Sequence, residues 1–206
     1  IISRNPFSIS GSAEAPEGKL RFSIKAVGDF TKKIPALKPG DRVFVDGPYG
    51  AFNTNLPITQ KGMVLLAGGI GITPLLCMAE TLFMLKQPFT LHYCTRSHDR
   101  TAFRSRIQQS GYAAHVTFHV DDAPSEQRLD IAALLCTPRP GVHIYTCGPR
   151  GFMEAVLSCA RNSGWPEDQL HYEFFGASPA KPEADASFVV KLASVVFRSV
   201  WNLSAH

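Results

Sequence analysis

Gly68-Gly69-Ile70-Gly71-Ile72-Thr73-Pro74 is the stretch whose residue types and spacing first suggest chemistry. Before it runs Met63-Val64-Leu65-Leu66, an apolar β-type run, and after it Leu75 to Leu85 carries apolar residues at helical spacing. A strand, a glycine turn and a helix together make a nucleotide-phosphate site. Glycines let the backbone turn sharply and approach the anion, and the first helical N–H groups then face it. Pro74 stands where the last glycine of G-x-G-x-x-G would be, so the dinucleotide pattern is incomplete. A merely structural strand-to-helix turn would use the same residues. Further along, Cys147-Gly148-Pro149-Arg150 offers a thiol beside a tight turn, although a free cysteine is by default a small buried apolar residue. His115 and His119, with Asp121 and Asp122, invite a metal. On a strand, four residues span roughly 13 Å, too far to share an ion, and no metal site is expected.

The elements that must position these residues alternate from Lys61 onward. Strands are predicted near 63–67, 89–94, 114–120, 142–146 and 169–174, and helices near 74–86, 100–110, 129–135 and 150–163. That is an α/β unit with a five-stranded parallel sheet, whose ligands sit beyond the carboxyl ends of the strands. The polar and glycine signals lie at those ends: Gly68 to Thr73, Thr95-Arg96-Ser97, Asp121-Asp122 and Cys147 to Arg150. Residues 1–58 read instead as all-β. Phe7-Ser8-Ile9-Ser10 and Leu20-Arg21-Phe22-Ser23-Ile24-Lys25 alternate apolar and polar residues around a turn rich in Gly, Pro and Glu. A short helix is predicted to start near Asp29, and Arg42-Val43-Phe44-Val45 reads as another strand. Three or four strands suggest a partial antiparallel barrel, since closure is what removes a barrel's edges. Residues 176–206 read as an Ala-, Pro- and acid-rich linker followed by one strand, Ser187 to Leu192.

Composition narrows the function classes. The 206 residues have room for one large or two small domains, and 45% hydrophobic with 18% charged residues is ordinary for a soluble globular protein. A net charge of +4 with no run of Lys and Arg excludes a nucleic-acid surface. The uncharged run from Met63 to Ala79 is broken by Gly68-Gly69 and Pro74 and falls short of the ~20 residues that cross a bilayer. Five cysteines without C-x-x-C spacing suit free thiols in a reducing compartment, and a cytoplasmic setting is expected.

Six pieces in one order, Asn5-Pro6-Phe7-Ser8, Gly28-Asp29-Phe30-Thr31, Asp46-Gly47-Pro48-Tyr49-Gly50, Gly68 to Pro74, Cys147-Gly148-Pro149 and Glu173-Phe174-Phe175, give the chain its wider likeness. It resembles the ferredoxin–NADP reductase superfamily over roughly residues 4–176. The barrel half is similar to the dehydrogenase domains of ferric reductases and NADPH oxidases. The second half resembles the reductases of phthalate and vanillate oxygenase systems, through His92 to Ser97, Gly151 to Val156 and Gly164 to Asp168. The resemblance implies a flavin-binding barrel in residues 1–58, an NAD(P)-binding domain in 61–175, and in 176–206 a linker and remnant strand of a [2Fe–2S] domain. No C-x₄-C-x₂-C follows that strand, so the chain itself holds no cluster, and it reads as cut at both ends.

The implied activity is hydride transfer from NADH or NADPH to flavin, with FAD favoured and FMN the alternative, followed by release of single electrons. The implied acceptors are a ferredoxin-type domain, an oxygenase, or a haem membrane domain preceding the barrel. A non-catalytic nucleotide-binding remnant, or the cytosolic part of a membrane ferric reductase or oxidase, are the alternatives. By the same resemblance Asn5, Pro6 and Phe7 border the flavin, Ser8 bonds near flavin N5, and Lys25, Gly28 and Thr31 hold flavin phosphate. The family usually has Arg or His where this chain has Asn5, with Arg4 one place earlier. Gly68, Gly69, Gly71, Thr73 and Pro74 would hold the nicotinamide nucleotide's pyrophosphate. Arg96 and Ser97, with Arg100, would lie near the adenosine ribose and could take a 2′-phosphate, or could simply be solvated. Cys147, Gly148 and Pro149 would border the nicotinamide, Glu173 would lie near the reaction centre, and Phe175 would shield the flavin. Ser8, Cys147 and Glu173 are thus the expected catalytic set.

Overall fold

The structure is a computed structural model that describes residues 6–11, 20–47, 49–54, 61–175 and, in backbone only, 201–202. Asn5, Pro48, the predicted linker up to Ala186 and the predicted strand Ser187 to Leu192 lie outside the described residues.

The chain divides into two compact units, one made of residues 1–23 with 52–175 and the other of 24–51 with 176–206. In the second, a 3₁₀ helix runs over Thr31–Ala36 and a short strand β1 over Arg42–Val43 pairs antiparallel with a two-residue strand at Trp201–Asn202. The predicted short helix therefore exists, displaced by two residues and wound as 3₁₀. Thr31 Oγ1 accepts from the N–H groups of Val27 (3.0 Å) and Gly28 (2.8 Å), which ties the preceding turn to the helix start.

The first unit holds the α/β sheet. Its strands are β2 (Gly62–Gly68), β3 (Phe89–Thr95), β4 (Val116–Val120), β5 (Val142–Gly148) and β6 (Leu170–Phe174). All four pairings are parallel, in the order β4-β3-β2-β5-β6. β2 is buried along its whole length, as a central parallel strand covered on both faces must be. Its odd residues Met63, Leu65 and Ala67 pack with helix α1 (Ile72–Met84) and with Ile107 of helix α2 (Arg104–Gln108). Its even residues Val64 and Leu66 pack with Leu135 of helix α3 (Ile131–Leu135) and with Val156, Leu157 and Ala160 of helix α4 (Arg150–Asn162). The period of two thus divides one apolar run between two cores. Asp130 caps α3 by accepting from Ala133 N at 2.8 Å, and Trp165 Nε1 donates to Leu135 O at 2.9 Å, closing that second layer.

In the predicted helix over 100–110, only Arg104–Gln108 is α-helical. A 3₁₀ turn at His98–Arg100 precedes it, and Phe103 adopts φ +60°, which breaks helical continuity. In the predicted strands over 7–10 and 20–25, pairing is limited to one antiparallel bridge, Ile9 with Phe22.

Candidate nucleotide and electron-transfer site

Chain order reverses at β2. From it the chain runs outward through β3 and β4 to one edge, then returns to β5 on the other side. The carboxyl ends of β2 and β5 therefore flank a topological switch point, the place where open parallel sheets bind ligands. Gly68 ends β2, and Cys147 and Gly148 end β5.

The glycines here divide into two kinds. A Cβ on Gly71 would lie 2.1 Å from the Cys147 carbonyl oxygen, and one on Gly148 would lie 2.9 Å from Gly68 Cα. One on Gly68 would meet the Phe152 ring at 2.8 Å. These three let two strand ends and a helix start touch each other, and Phe152 is the residue that fills the seam. Gly69 differs: its φ is +53° and a Cβ there would meet nothing within 4 Å. It is the glycine of the turn with open space before it. Sequence reading gave all the glycines one role, because close packing across strands has no local signature.

α1 begins immediately after this turn. Thr73 is 2% exposed and its Oγ1 donates to Ile70 O at 3.1 Å, so the hydroxyl braces the turn. Pro74, also buried, occupies the first helical turn, where a missing N–H costs nothing. Arg96 and Ser97 follow β3 and share an open depression with Arg100, Asp121 and Asp122. Asp121 N and Asp122 N donate to Thr95 O and Arg96 O, which brings the β4 end against the β3 end. The two aspartates are thus neighbours of Arg96. Among the described residues there is no group of three or more His, Cys, Asp or Glu placed to hold a metal ion.

Ser8, Cys147 and Glu173 come together. Cys147 and Glu173 are ladder partners of β5 and β6. Ser8 Oγ donates to Glu173 Oε2 at 3.4 Å across 165 residues of sequence. Glu173 is partly buried, and burial raises its carboxyl above the usual value while the Ser8 hydroxyl pulls it partly back. Cys147 is fully buried, and burial, with Glu173 adding, pushes its thiol up to about 12. It is a neutral thiol at neutral pH, and nucleophilic chemistry needs the thiolate. Phe7 and Phe175 are 36% and 42% exposed, and Pro6 and Pro149 are exposed too. In the other unit, Lys25 and Gly28 are exposed, and Thr31 Oγ1 donates to Gly28 O at 3.2 Å.

This is the arrangement of a nicotinamide-nucleotide sheet, and known proteins place it more closely. Residues 65–158 match the oxidoreductase NAD-binding domain. Vanillate O-demethylase oxidoreductase of Pseudomonas sp. (strain HR199 / DSM 7063) is 44% identical over 77% of this chain and 49% of its own length. That of Pseudomonas putida is 45% identical over 87% and 58% respectively. The solved structure of phthalate dioxygenase reductase, a modular structure for electron transfer from pyridine nucleotides to [2Fe–2S], superposes with a TM-score of 0.75 at 29% identity. It covers 85% of this chain and 55% of the reductase. Residues 65–158 are an oxidoreductase NAD-binding domain, and the chain's fold is similar to that of a reductase that moves electrons from pyridine nucleotides. The chain spans about half the length of the curated relatives it matches.

Proposed function

We propose that the chain is the NAD(P)H-oxidising, flavin-linked part of an oxygenase-type reductase, passing electrons singly to an iron–sulfur or haem acceptor. The observation that carries this is the meeting of Ser8 with Glu173 beside Cys147, at the strand ends that flank Gly68 to Thr73. When bound, nicotinamide nucleotide and flavin (FAD in this reading) supply hydride donation, hydride acceptance and single-electron release.

The chain's own residues bind and orient. The free space at Gly69 and the first N–H groups of α1 receive the pyrophosphate, with Gly68 and Gly71 fixing the turn and Thr73 and Pro74 the helix start. Arg96 and Ser97 take the adenosine end. Cys147, Gly148 and Pro149 form an apolar, uncharged wall for the nicotinamide. Ser8 and Glu173 hold a hydrogen bond at the reacting centre, and the raised carboxyl of Glu173 suits it to keep or release a proton there. Pro6, Phe7 and Phe175 border the flavin, with Asn5 beside Pro6 by its position in the motif, and Lys25, Gly28 and Thr31 hold flavin phosphate. Residues 1–58 are read as part of the flavin barrel, 61–175 as the nucleotide domain, and 176–206 as a linker and first strand toward a [2Fe–2S] domain.

A cytoplasmic setting belongs to this reading. Among the described residues no helix is long and apolar enough to cross a membrane. NAD(P)H-driven ferricyanide reduction by flavin-supplemented protein tests the activity. Turnover with either nucleotide is expected, and folded, flavin-loaded protein that turns over neither would overturn the proposal.

A further inference from the structure

We propose that Arg106 and Glu80 are positioning residues for Ser8, holding the segment Ser8 to Gly11 so that Ser8 reaches Glu173. This deepens the proposed function and rests on it. Glu80 is the only charged residue of α1, a helix that is otherwise Ile, Thr, Pro, Leu, Cys, Met, Ala and Phe. Its side chain is 17% exposed and that of Arg106 is 26% exposed. Arg106 Nη2 donates to Glu80 Oε1 at 2.5 Å, and Tyr112 OH donates to the same oxygen at 3.2 Å. The other arm of the guanidinium, Nη1, donates to Ser10 O at 3.3 Å, and Cys77 Sγ of α1 donates to Gly11 O at 3.1 Å. Two carbonyls of one short segment are thus held from α1 and α2, which lie on the same face of the sheet.

The opposite edge of that segment is held as firmly. Ser10 is fully buried, its N–H donates to Arg21 O at 2.8 Å, and its hydroxyl lies 2.8 Å from that of Ser23. Ser8 is two residues from Ser10, about 7 Å along extended backbone, so displacement at Ser10 carries directly to Ser8. The chemistry suits arginine in particular. A planar fork holds a carboxylate with one arm and a carbonyl with the other in fixed geometry, whereas an ammonium donates from one compact, freely rotating point. Phe103, three residues before Arg106, keeps φ +60° and lies under its guanidinium at 5.9 Å. A non-glycine residue in that conformation persists only where its surroundings fix it, and here they aim the first turn of α2. A half-buried ion pair is a weak source of net stability, which leaves placement as its main effect.

The test is flavin reduction in a single turnover, at saturating nicotinamide nucleotide, in the flavin-loaded full chain. Arg106→Gln is expected to keep the nucleotide Kd and flavin content while the reduction rate falls about 10- to 100-fold, the cost of displacement on the order of 1 Å. Arg106→Lys should recover only part of the rate, and Glu80→Gln should give a smaller loss of the same kind. The Glu80→Gln variant also answers the question if Arg106→Gln does not fold. Rates within twofold of wild type in folded variants would overturn the positioning role alone. A wild-type chain that holds flavin but is not reduced by nucleotide would overturn the functional reading, and the positioning role with it.

Discussion

The sheet region and the segment 24–51 are built on opposite terms. Between Gly62 and Phe174 the chain covers its own strands: Leu65, Leu66, Leu91 and Ile144 have no exposed surface, and each face of the sheet has its own helices. Between Ile24 and Ala51 no described residue is buried, Phe44 is 96% exposed and Tyr49 80%. The difference follows from connectivity. A parallel α/β sheet brings its covering helices within each crossover, so a local stretch of sequence carries its own partners. Antiparallel barrel strands are covered only by other strands of the closed barrel, and the described residues 24–51 contribute just Arg42–Val43. The nucleotide half is self-sufficient in packing, and the segment 24–51 is not.

Substitutions should sharpen that contrast, beginning with Gly71→Ala. Its Cβ would lie 2.1 Å from a backbone oxygen of Cys147, with no flexible side chain to give way. A loss of more than about 3 kcal/mol is expected, together with loss of nucleotide binding, measured by chemical denaturation and titration. Leu65→Ala, in the same core but away from the strand end, should cost about 3 kcal/mol and leave nucleotide affinity in the folded fraction unchanged. If both cost as little as an exposed substitution, the sheet is not the stable part.

What was legible beforehand follows the same division. All five sheet strands were legible from the strand–helix alternation after Lys61. β2, buried along its whole length, left the continuous apolar run Met63 to Leu66, whereas the edge strands β4 and β6 are partly exposed and carry polar residues between apolar ones. The strand over 20–25 was expected from alternation, yet only Phe22 pairs, with Ile9; alternation says which face is apolar, not which partner will cover it. The Ser8–Glu173 contact spans 165 residues, and no spacing rule reaches that far; the motif order alone pointed to it. The Glu80–Arg106 link was missed, although one acid in an otherwise uncharged helix was a signal in plain sight. Phe152 was missed as a packing residue because its partners are glycines on two other elements.

A pH experiment should also separate the regions. His92 Nδ1 lies 3.1 Å from His119 Nε2 on adjacent strands, and burial, then His119 and Arg139, push His92 down to about 4 from 6.5. The folded form therefore resists a proton that the unfolded chain accepts. Its contribution to stability is complete above pH 6.5 and is lost progressively as pH falls from 6.5 toward 4. His143 and His171, 2.9 Å apart, are shifted in the same direction. Denaturation midpoints should fall through this window, and His92→Gln should flatten part of the slope; an unchanged slope would contradict the assignment. The smallest effect is expected at Phe44→Ala, within about 0.5 kcal/mol of wild type, since its ring is almost wholly exposed. A larger loss would mean that the segment 24–51 has a core after all.

The proposed reaction site lies at the ends of β2, β5 and β6, and anaerobic flavin bleaching by nicotinamide nucleotide tests it most directly. The flavin-loaded wild-type chain should bleach on mixing, and Ser8→Ala and Glu173→Gln should each slow bleaching by about 10-fold or more without loss of flavin. Loaded, folded wild-type protein that does not bleach, or variants that bleach as fast as wild type, would contradict it.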